Sequence, residues 1–353
     1  MRIAVLTSGG DSPGMNAAVR TLTVAGEKRG HQIIGVRRGY AGLLEGDVRP
    51  LNTAAVEGIS RVGGTMLGSS RSAIFPTAQG QTLARARLTE LGVGALVVIG
   101  GNGSLAGAHA LAHGGPCVVV GLPASIDNDV GHSGLAIGAD TAVNTIVEAC
   151  DRISDTAAAH RRAFVVEVMG RHCGFLAMRA GIAAEADAIL YGESKESEDA
   201  LVERMRAVLR RAFSPERGKT RVLIVKAEGV QVPMRVLVER LQLHLQEDAP
   251  GVEIRETILG HVVRGGHPSA LDRLIAQRLG YAAVGACDAG LNDVMMAWEP
   301  PGGQSGAATA DPSVRAVPLQ DVLEESARLV EGTSAVTKKR MALLREVEDI
   351  LGA

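Results

Sequence analysis

The chain has 353 residues, which is enough for about two domains. Its 37 basic and 39 acidic side chains give a net charge of −2, so there is no cationic field to hold a nucleic acid. Four Phe, three Tyr and one Trp are too few for a surface that stacks bases, whereas a hydrophobic fraction of 46% suffices for a globular core.

The four cysteines lack the CxxC spacing that is typical of zinc sites and redox pairs. They are therefore interpreted as core thiols: Cys117, Cys150, Cys173 and Cys287. No cationic segment precedes an apolar stretch at Met1, and no apolar run is long enough to cross a membrane. The sequence thus predicts a cytoplasmic protein without a membrane or nucleic-acid partner.

Five short apolar runs, each bounded by turn residues, recur at 3–6, 95–99, 117–122, 164–169 and 222–225. Their continuous apolar character predicts strands that are buried on both faces, as in a parallel sheet. Helical patterns lie between them, and one spans residues 143–153 with apolar side chains at 3.6-residue spacing. Strands that alternate with helices predict an α/β fold.

The C-terminal part of the chain has a different composition. A stretch rich in Gly, Ala, Ser and Thr runs from Pro300 to Pro312 and is predicted to be a linker or long loop. Helices are expected over 319–330 and 338–351. The second is predicted to dock through an apolar face made of Met341, Leu344, Val347 and Ile350.

Glycine-rich or acidic loops follow the predicted strands, at 9–11, 100–103, 123–129, 170–171 and 228–229. In open α/β sheets, ligands bind outside the carboxyl ends of the strands. We therefore expect these loops to converge on one crevice.

The segment TSGGDSPGMNAAVR, residues 7–20, has the design of a phosphate cradle. Its glycines let backbone N–H groups approach an anion, and a helix that begins near Pro13 adds favourable potential. It matches neither GxxxxGK[ST] nor GxGxxG. VVIGGNGSLAGA, residues 97–108, repeats the arrangement, which favours a phosphate site over the alternative of an ordinary strand-to-helix turn.

The segment GLPASIDND, residues 121–129, places Asp127 and Asp129 one residue apart at the end of a buried strand. Such a pair can supply a general base and a group close to a metal. The alternative is a helix cap and a turn residue, which are common roles of Asp in loops.

Four arginines and one histidine border strands or turns between residues 162 and 264. Together they can bind the phosphate of a substrate, and Arg can do so bidentately. Any one of them alone would be an ordinary solvated side chain. They are Arg162, Arg171, Arg255, His261 and Arg264.

The strings LTSGGDSPGMNAAVR, IGGNGS, IDND, VVEVMGR and ILGHVVRGG, in this order, resemble the 6-phosphofructokinases from residue 1 to about residue 297. The likeness is to the bacterial ATP-dependent type, with some features of the mixed pyrophosphate/ATP group. It implies two doubly wound, Rossmann-like α/β domains with parallel-rich sheets and a helical C-terminal extension. A nucleotide-binding domain is expected over 1–138 plus about 268–315, a sugar-phosphate-binding domain over 139–267, and a helical segment over 316–353.

The resemblance implies a Mg²⁺-dependent transfer of a phosphoryl group from ATP to the 1-hydroxyl of fructose 6-phosphate, in a homotetramer whose active sites are shared across an interface. It assigns eight residues to ATP, with Tyr40 near the adenine: Gly10, Tyr40, Arg71, Ser72, Gly101, Asn102, Gly103 and Ser104.

The resemblance also implies roles at the reacting centre. Asp127 is expected to be the general base, Ser125 and Asp129 to flank the centre, and Arg171 to assist the moving phosphoryl group. Ten residues are expected to bind the sugar phosphate: Ser125, Asp127, Arg162, Met169, Gly170, Arg171, Glu228, Arg255, His261 and Arg264. Of these, Arg162 and Arg255 are expected to serve the neighbouring subunit, while Asn102 and Asp129 are the expected metal ligands.

Asn102 stands where the family usually has an Asp that helps to place magnesium. An amide oxygen coordinates without charge, so weaker Mg²⁺ binding is expected unless Asp11 or Asp129 compensates.

A second departure from the family pattern concerns the phosphoryl donor. Family members that use ATP have Gly at the positions of both Gly103 and Ala124, whereas members that use pyrophosphate have Asp and Lys there.

Gly103 favours ATP, while Ala124 matches neither class, and a pyrophosphate-dependent enzyme is the alternative. Asn102 also leaves open a non-catalytic regulatory subunit that binds sugar phosphate and nucleotide.

The effector pocket of the bacterial ATP enzymes is lined with basic residues. Arg20 remains here, but Val24, Thr53 and Ser154 occupy positions where those enzymes have Arg. Little regulation by phosphoenolpyruvate or ADP is therefore expected.

Overall fold

The computed structural model describes residues 1–299, 313–348, 350 and 351. The linker predicted over 300–312 lies outside the described residues. The chain divides into two compact units, one made of 1–141 with 264–327 and the other of 142–263 with 328–353. Both are α/β, as the alternation of apolar runs and helical patterns predicts. No described helix combines the length and the apolar character needed to span a membrane.

The described residues form eleven strands. They are β1 (Arg2–Ser8), β2 (Gln32–Val36), β3 (Val48–Leu51), β4 (Ala95–Gly100), β5 (Val118–Pro123), β6 (Arg162–Val168), β7 (Ala188–Leu190), β8 (Arg221–Ala227), β9 (Glu253–Ile258), β10 (Val294–Glu299) and β11 (Ser313–Pro318). The first unit contains a sheet in the order β11-β10-β5-β4-β1-β2-β3, in which only the pairs β10–β11 and β2–β3 are antiparallel. The sheet of the second unit, in the order β7-β8-β6-β9, is parallel throughout.

Eleven α-helices connect these strands among the described residues. They are α1 (Met15–Lys28), α2 (Gly39–Glu45), α3 (Ala78–Glu90), α4 (Asn102–Ala112), α5 (Ala139–His160), α6 (Phe175–Ala183), α7 (Glu198–Ala212), α8 (Met234–Asp248), α9 (Ala270–Asp288), α10 (Leu319–Glu331) and α11 (Ala335–Glu348).

Successive side chains of β1 point into different cores, because side chains alternate across a strand. Ile3 and Val5 pack with α1 and α9, whereas Ala4 and Leu6 pack on the opposite face with α2, α3 and α4. All four side chains are fully buried. Burial on both faces explains why this strand appears in the sequence as a continuous apolar run.

The five predicted strands are confirmed as β1, β4, β5, β6 and β8. The helices predicted over 319–330 and 338–351 correspond to α10 and α11. Leu344 is buried as predicted, but Ile350 is 70% exposed, so its place on the apolar face of α11 was wrong. The helix ends at Glu348, and the helical spacing that would turn Ile350 towards the protein is lost there.

A buried carboxylate ties α9 to the chain that leads into α5. The oxygens of Asp272 accept hydrogen bonds from the backbone N–H groups of Gly138 at 2.8 Å and Thr141 at 2.7 Å, and from the Thr141 hydroxyl. The Asp272 side chain is completely buried. Burial raises the pKa of Asp272 to about 6, although these hydrogen bonds oppose the shift.

We expect Asp272→Ala to lower the free energy of unfolding by about 1–3 kcal/mol at pH 7, because it leaves buried N–H groups without an acceptor. The raised pKa means that the folded state holds a proton which the unfolded state releases. The stabilisation from Asp272 is therefore largest near pH 4 and decreases as the pH rises to about 6. Urea unfolding between pH 4 and 7 measures this, with the exposed Asp151→Ala as control. An equal free energy of unfolding for Asp272→Ala and the parent would contradict it.

Candidate active site

In the first unit, the carboxyl ends of β1, β4 and β5 lie against one another. A Cβ on Gly100 would come within 2.5 Å of the Ser8 carbonyl oxygen, so only glycine fits there. Gly9 has a φ of +85°, and its missing Cβ would lie 3.2 Å from the Ser104 Oγ. A Cβ on Gly101 would lie in ordinary contact with Ser125, at 3.7 Å from its Cβ. The three loops following these strands are thus brought together, as the sequence predicted for them.

The turn that opens α4 is supported from the core by an aromatic pair. The Tyr40 hydroxyl donates to the Ser104 carbonyl oxygen at 2.6 Å, and its ring stacks on Phe75 with centroids 3.8 Å apart. Gly107 leaves space for both rings. Burial raises the pKa of Tyr40. Tyr40 therefore positions the turn, and its contact with an adenine stays a prediction.

An arginine lies beside the turn after β1. Nη1 of Arg264 donates to the Asp11 carbonyl oxygen at 3.3 Å and occupies the space that a Cβ on Gly10 would need. Arg264 is one of the residues that the family resemblance assigns to the sugar phosphate, and its contact with that phosphate stays a prediction. Its guanidinium adds a positive charge to the turn that contains Gly10.

The segment before Arg71 and Ser72 is anchored to the same turn. The Thr7 hydroxyl pairs with Thr65 at 2.7 Å, and the Ser69 hydroxyl donates to the Gly9 carbonyl oxygen at 2.6 Å. Ser72 Oγ accepts the backbone N–H of Phe75, whereas Arg71 is exposed. An exposed guanidinium after an anchored segment is suited to binding an anion.

The loop after β5 holds its two acids in different environments. Asp129 accepts hydrogen bonds from Ser125 Oγ at 3.1 Å and from Asn102 Nδ2 at 3.0 Å, and it thereby joins the loop to α4. Asp127 is 6% exposed. A buried carboxylate in the loop after a strand suits a general base, because it is held in one place and can accept a proton from a hydroxyl bound beside it.

The oxygens near Asn102 fit a hard divalent cation. The buried Oδ1 of Asn102 has no hydrogen-bond partner within the described part of the chain, while Nδ2 of the same amide contacts the Asp129 carboxylate. Carboxylate and amide oxygens are the ligands that Mg²⁺ prefers, and a bound cation would satisfy this oxygen.

In the second unit, Glu228 holds the loop that follows β6. Its Oε1 accepts the N–H of Gly170 at 3.1 Å and the N–H of Arg171 at 2.5 Å. Gly170 has a φ of +142° and Arg171 a φ of +50°, an uncommon backbone for Arg. Met169 is half-buried and Arg171 exposed. Four residues assigned to the sugar phosphate are thus neighbours: Met169, Gly170, Arg171 and Glu228.

The structure also brings together Arg162 on β6 and Arg255 on β9. Both guanidiniums donate to Oε2 of Glu253, each at 2.9 Å. The hydrogen bonds from Arg255 and then from Arg162 lower the pKa of Glu253. His261 is exposed in the short helical turn that follows β9.

Two acidic partners in the second unit were not predicted from the sequence. Glu253 is one of them. The other is Glu167, which pairs at 2.8 Å with the fully buried Lys226. Of these residues, only Lys226 could have been recognised from the sequence around it, since a lysine within a buried apolar strand requires a partner for its charge.

A surface pocket of about 810 Å³ contains Arg20. Two further arginines line it, Arg61 and Arg273, which the sequence-based count of effector residues missed. The backbone N–H and hydroxyl of Thr53 both donate to Glu27. The weak response to effectors that the sequence predicts therefore depends only on the absence of Arg at Val24, Thr53 and Ser154.

Activity titrations with phosphoenolpyruvate and ADP test this expected weak response, and a sigmoidal response at modest concentration would contradict it.

Comparison with known proteins identifies relatives. The family model described as "Phosphofructokinase" matches residues 2–287. The ATP-dependent 6-phosphofructokinase of Thermotoga neapolitana is 47% identical over 296 residues, which cover 84% of this chain and 89% of that protein. The ATP-dependent 6-phosphofructokinase 1 of Thermus thermophilus is 46% identical over 298 residues, covering 84% and 88%.

Solved structures agree on the fold. The phosphofructokinase of Saccharomyces cerevisiae has a TM-score of 0.85 at 32% identity over 98% of this chain, which spans half of the yeast chain. A pyrophosphate-dependent phosphofructokinase from Marinobacter aquaeolei has a TM-score of 0.77 at 21% identity, over 91% of this chain and 84% of that one, and shows likeness of fold alone. The chain belongs to the phosphofructokinase family.

Proposed function

We propose that the protein transfers the γ-phosphoryl group of ATP to the 1-hydroxyl of fructose 6-phosphate, giving ADP and fructose 1,6-bisphosphate. The observation that carries this proposal is the cluster at the carboxyl ends of β1, β4 and β5, where the turn of Gly9 contacts Ser104 and the turn after β4 contacts the loop of Asp127 and Asp129 through Asn102. Phosphoryl transfer requires mainly such positioning and charge stabilisation.

We assign ATP to the first unit. Helix α4 begins directly after Gly101, and the dipole at its N-terminus favours the negative charge of a phosphate held at the turn of Gly101, Gly103 and Ser104. Gly10 and Arg264 provide a similar environment at the neighbouring turn. Fructose 6-phosphate is assigned mainly to residues of the second unit, and the guanidinium pair of Arg162 and Arg255 is assigned to the site of a neighbouring copy of the chain.

In the proposed reaction, Asp127 accepts the proton of the sugar 1-hydroxyl while the oxygen of that hydroxyl forms a bond to the γ-phosphorus of ATP. The bond from that phosphorus to the bridging oxygen of ADP breaks. Arg171 stabilises the charge on the moving group, and Ser125 keeps Asp129 in place. Asn102 Oδ1 and Asp129 would hold Mg²⁺, which when bound neutralises phosphate oxygens.

We further propose a homotetramer in which Arg162 and Arg255 serve the neighbouring subunit's site. Sedimentation of the purified protein tests the tetramer. The cytoplasmic location expected from the sequence stays a prediction.

Steady-state turnover of the purified protein with fructose 6-phosphate and either ATP or pyrophosphate tests the function. ATP is expected to be the donor, because a Cβ on Gly103 would meet nothing within 4 Å and the space beside the turn is open. Turnover with pyrophosphate alone would support the pyrophosphate-dependent alternative. Binding of both substrates without turnover would support the regulatory subunit.

We expect Asn102→Asp to lower the Mg²⁺ concentration that gives half-maximal activity. The substitution places a second carboxylate beside Asp129, and two adjacent anions favour a bound cation. Asn102→Ala removes the amide oxygen and is expected to raise that concentration. Activity measured as a function of the free Mg²⁺ concentration tests this. An unchanged titration for Asn102→Asp would show that position 102 does not bind the metal.

A further inference from the structure

Three metal-ligating side chains lie together in the first unit, at the C-terminal end of α4. They are His109 and His113, four residues apart, and Asp293, which directly precedes β10. One ligand atom from each lies within 4.8 Å of the others. The Nδ1 of His109 is 2.8 Å from Asp293 Oδ1, and the Nδ1 of His113 is 3.9 Å from Asp293 Oδ2.

Backbone and side-chain hydrogen bonds fix the scaffold of this cluster. The N–H of Asp293 donates to the Val119 carbonyl oxygen at 3.0 Å, and its own carbonyl accepts the N–H of Leu319 at 2.9 Å. Asn292 accepts the Val119 N–H through Oδ1 and donates to the Ala112 carbonyl oxygen through Nδ2. The end of α4 and the chain before β10 are thus held together, so the cluster is organised before any ligand arrives.

The distances suit a small transition-metal ion. Metal–ligand bonds of about 2.0–2.1 Å at tetrahedral angles place neighbouring ligand atoms about 3.3 Å apart. Measured to one carboxylate oxygen, Oδ2 of Asp293, the Nδ1 atoms of His109 and His113 lie at 3.0 and 3.9 Å, on either side of that value. Two imidazoles on one helical turn with one carboxylate are typical Zn²⁺ ligands, whereas Mg²⁺ prefers oxygen.

A simple hydrogen bond between His109 and Asp293 is the alternative, and it leaves the position of His113 unexplained. The ring of His113 stands edge-on to that of His109, with centroids 4.5 Å apart, and its Nδ1 contacts the His109 carbonyl oxygen at 3.1 Å. Metal binding would exchange this one hydrogen bond for a coordinate bond. The His113 side chain is 66% exposed, so an ion has direct access from solvent.

We propose that His109, His113 and Asp293 bind one Zn²⁺-type transition-metal ion, with water completing the tetrahedron. This site is separate from the proposed catalytic one and does not depend on it. It occupies the end of α4 opposite the turn of Asn102 to Ser104, and an 11-residue helix is about 16 Å long. The ion would link α4 to the start of β10.

Equilibrium dialysis of the chelator-treated full-length protein against Zn²⁺, in excess Mg²⁺, tests the proposal. One retained Zn²⁺ per chain is expected. We expect His113→Gln and Asp293→Asn each to weaken the affinity by about 10-fold or more, since losing even an outer partner of a metal site costs this much. Asn tolerates the φ of +60° at position 293, so the second variant preserves the backbone. All four cysteines are buried and do not compete for zinc.

His244→Gln is the matched control. His244 also lies near a carboxylate, with Glu247 at 3.9 Å, but belongs to no three-ligand group among the described residues. It should retain zinc as the parent does, and Co²⁺ loaded in place of Zn²⁺ should give tetrahedral visible absorption only when His113 and Asp293 are intact. No retained zinc, or equal retention by the parent and both ligand variants, would overturn the proposal.

Discussion

Asp127→Asn is expected to lower kcat for ATP and fructose 6-phosphate by about two to four orders of magnitude, the usual contribution of a general base. The amide has the shape of the carboxyl group but cannot accept the hydroxyl proton. Asp127 is almost fully buried in the loop after β5, so bulk water is poorly placed to substitute for it. Steady-state assays at saturating substrates measure the change.

The control for this variant is Asp151→Asn, which removes an exposed acid from α5 and should leave kcat unchanged. Direct titration of ATP binding separates a chemical defect from a binding defect, and Asp127→Asn should bind ATP as the parent does. If Asp127→Asn keeps more than a tenth of the parent's kcat, Asp127 is not the base.

Gly103→Asp is expected to lower kcat/KM for ATP by about 100-fold or more, because a like-charge contact costs several kcal/mol. Position 103 is the second residue of α4, and a new Cβ there would meet nothing within 4 Å. The protein should therefore fold with the new side chain in place. The added carboxylate would repel the ATP phosphates from the turn and weaken the helix N-terminus as an anion site.

Gly103→Ala separates the effect of size from that of charge. The methyl group enters the same open space and should reduce kcat/KM for ATP far less than the carboxylate does. Parallel assays with pyrophosphate show whether the loss is specific to the nucleotide donor. Equal values for the Ala and Asp variants would show that this turn does not hold the ATP phosphates.

The sequence predicted five strands, since these leave continuous apolar runs, but it missed β2 and β10, whose side chains are also largely buried. It did not predict β9, whose sequence EIRETI is mostly exposed, nor β7, which has only three residues. Neither strand shows an apolar alternation or a continuous apolar run that would distinguish its sequence from that of a loop. The end of α11 was misjudged for a related reason, because an apolar period does not mark where a helix stops.

Local patterns predicted the glycine turns of the candidate site, since the approach of a backbone to an anion depends on adjacent residues. The pairs of site residues that are distant in the sequence could not be predicted from such local patterns. Glu253 pairs with Arg162 from 91 positions away, and Arg264 reaches Asp11 from 253 positions away. The charges of such residues are visible in the sequence, but the strand order that brings them together is not.

The central claim is that the chain moves the terminal phosphoryl group of a nucleotide to a sugar alcohol with Asp127 as the base. Incubation with fructose 6-phosphate and ATP labelled in the γ-phosphate, followed by recovery of the label, tests it most directly. We predict that the label appears on carbon 1 of fructose 1,6-bisphosphate, and that Asp127→Asn almost abolishes this transfer. Label found only in inorganic phosphate, or equal transfer by the variant, would contradict the claim.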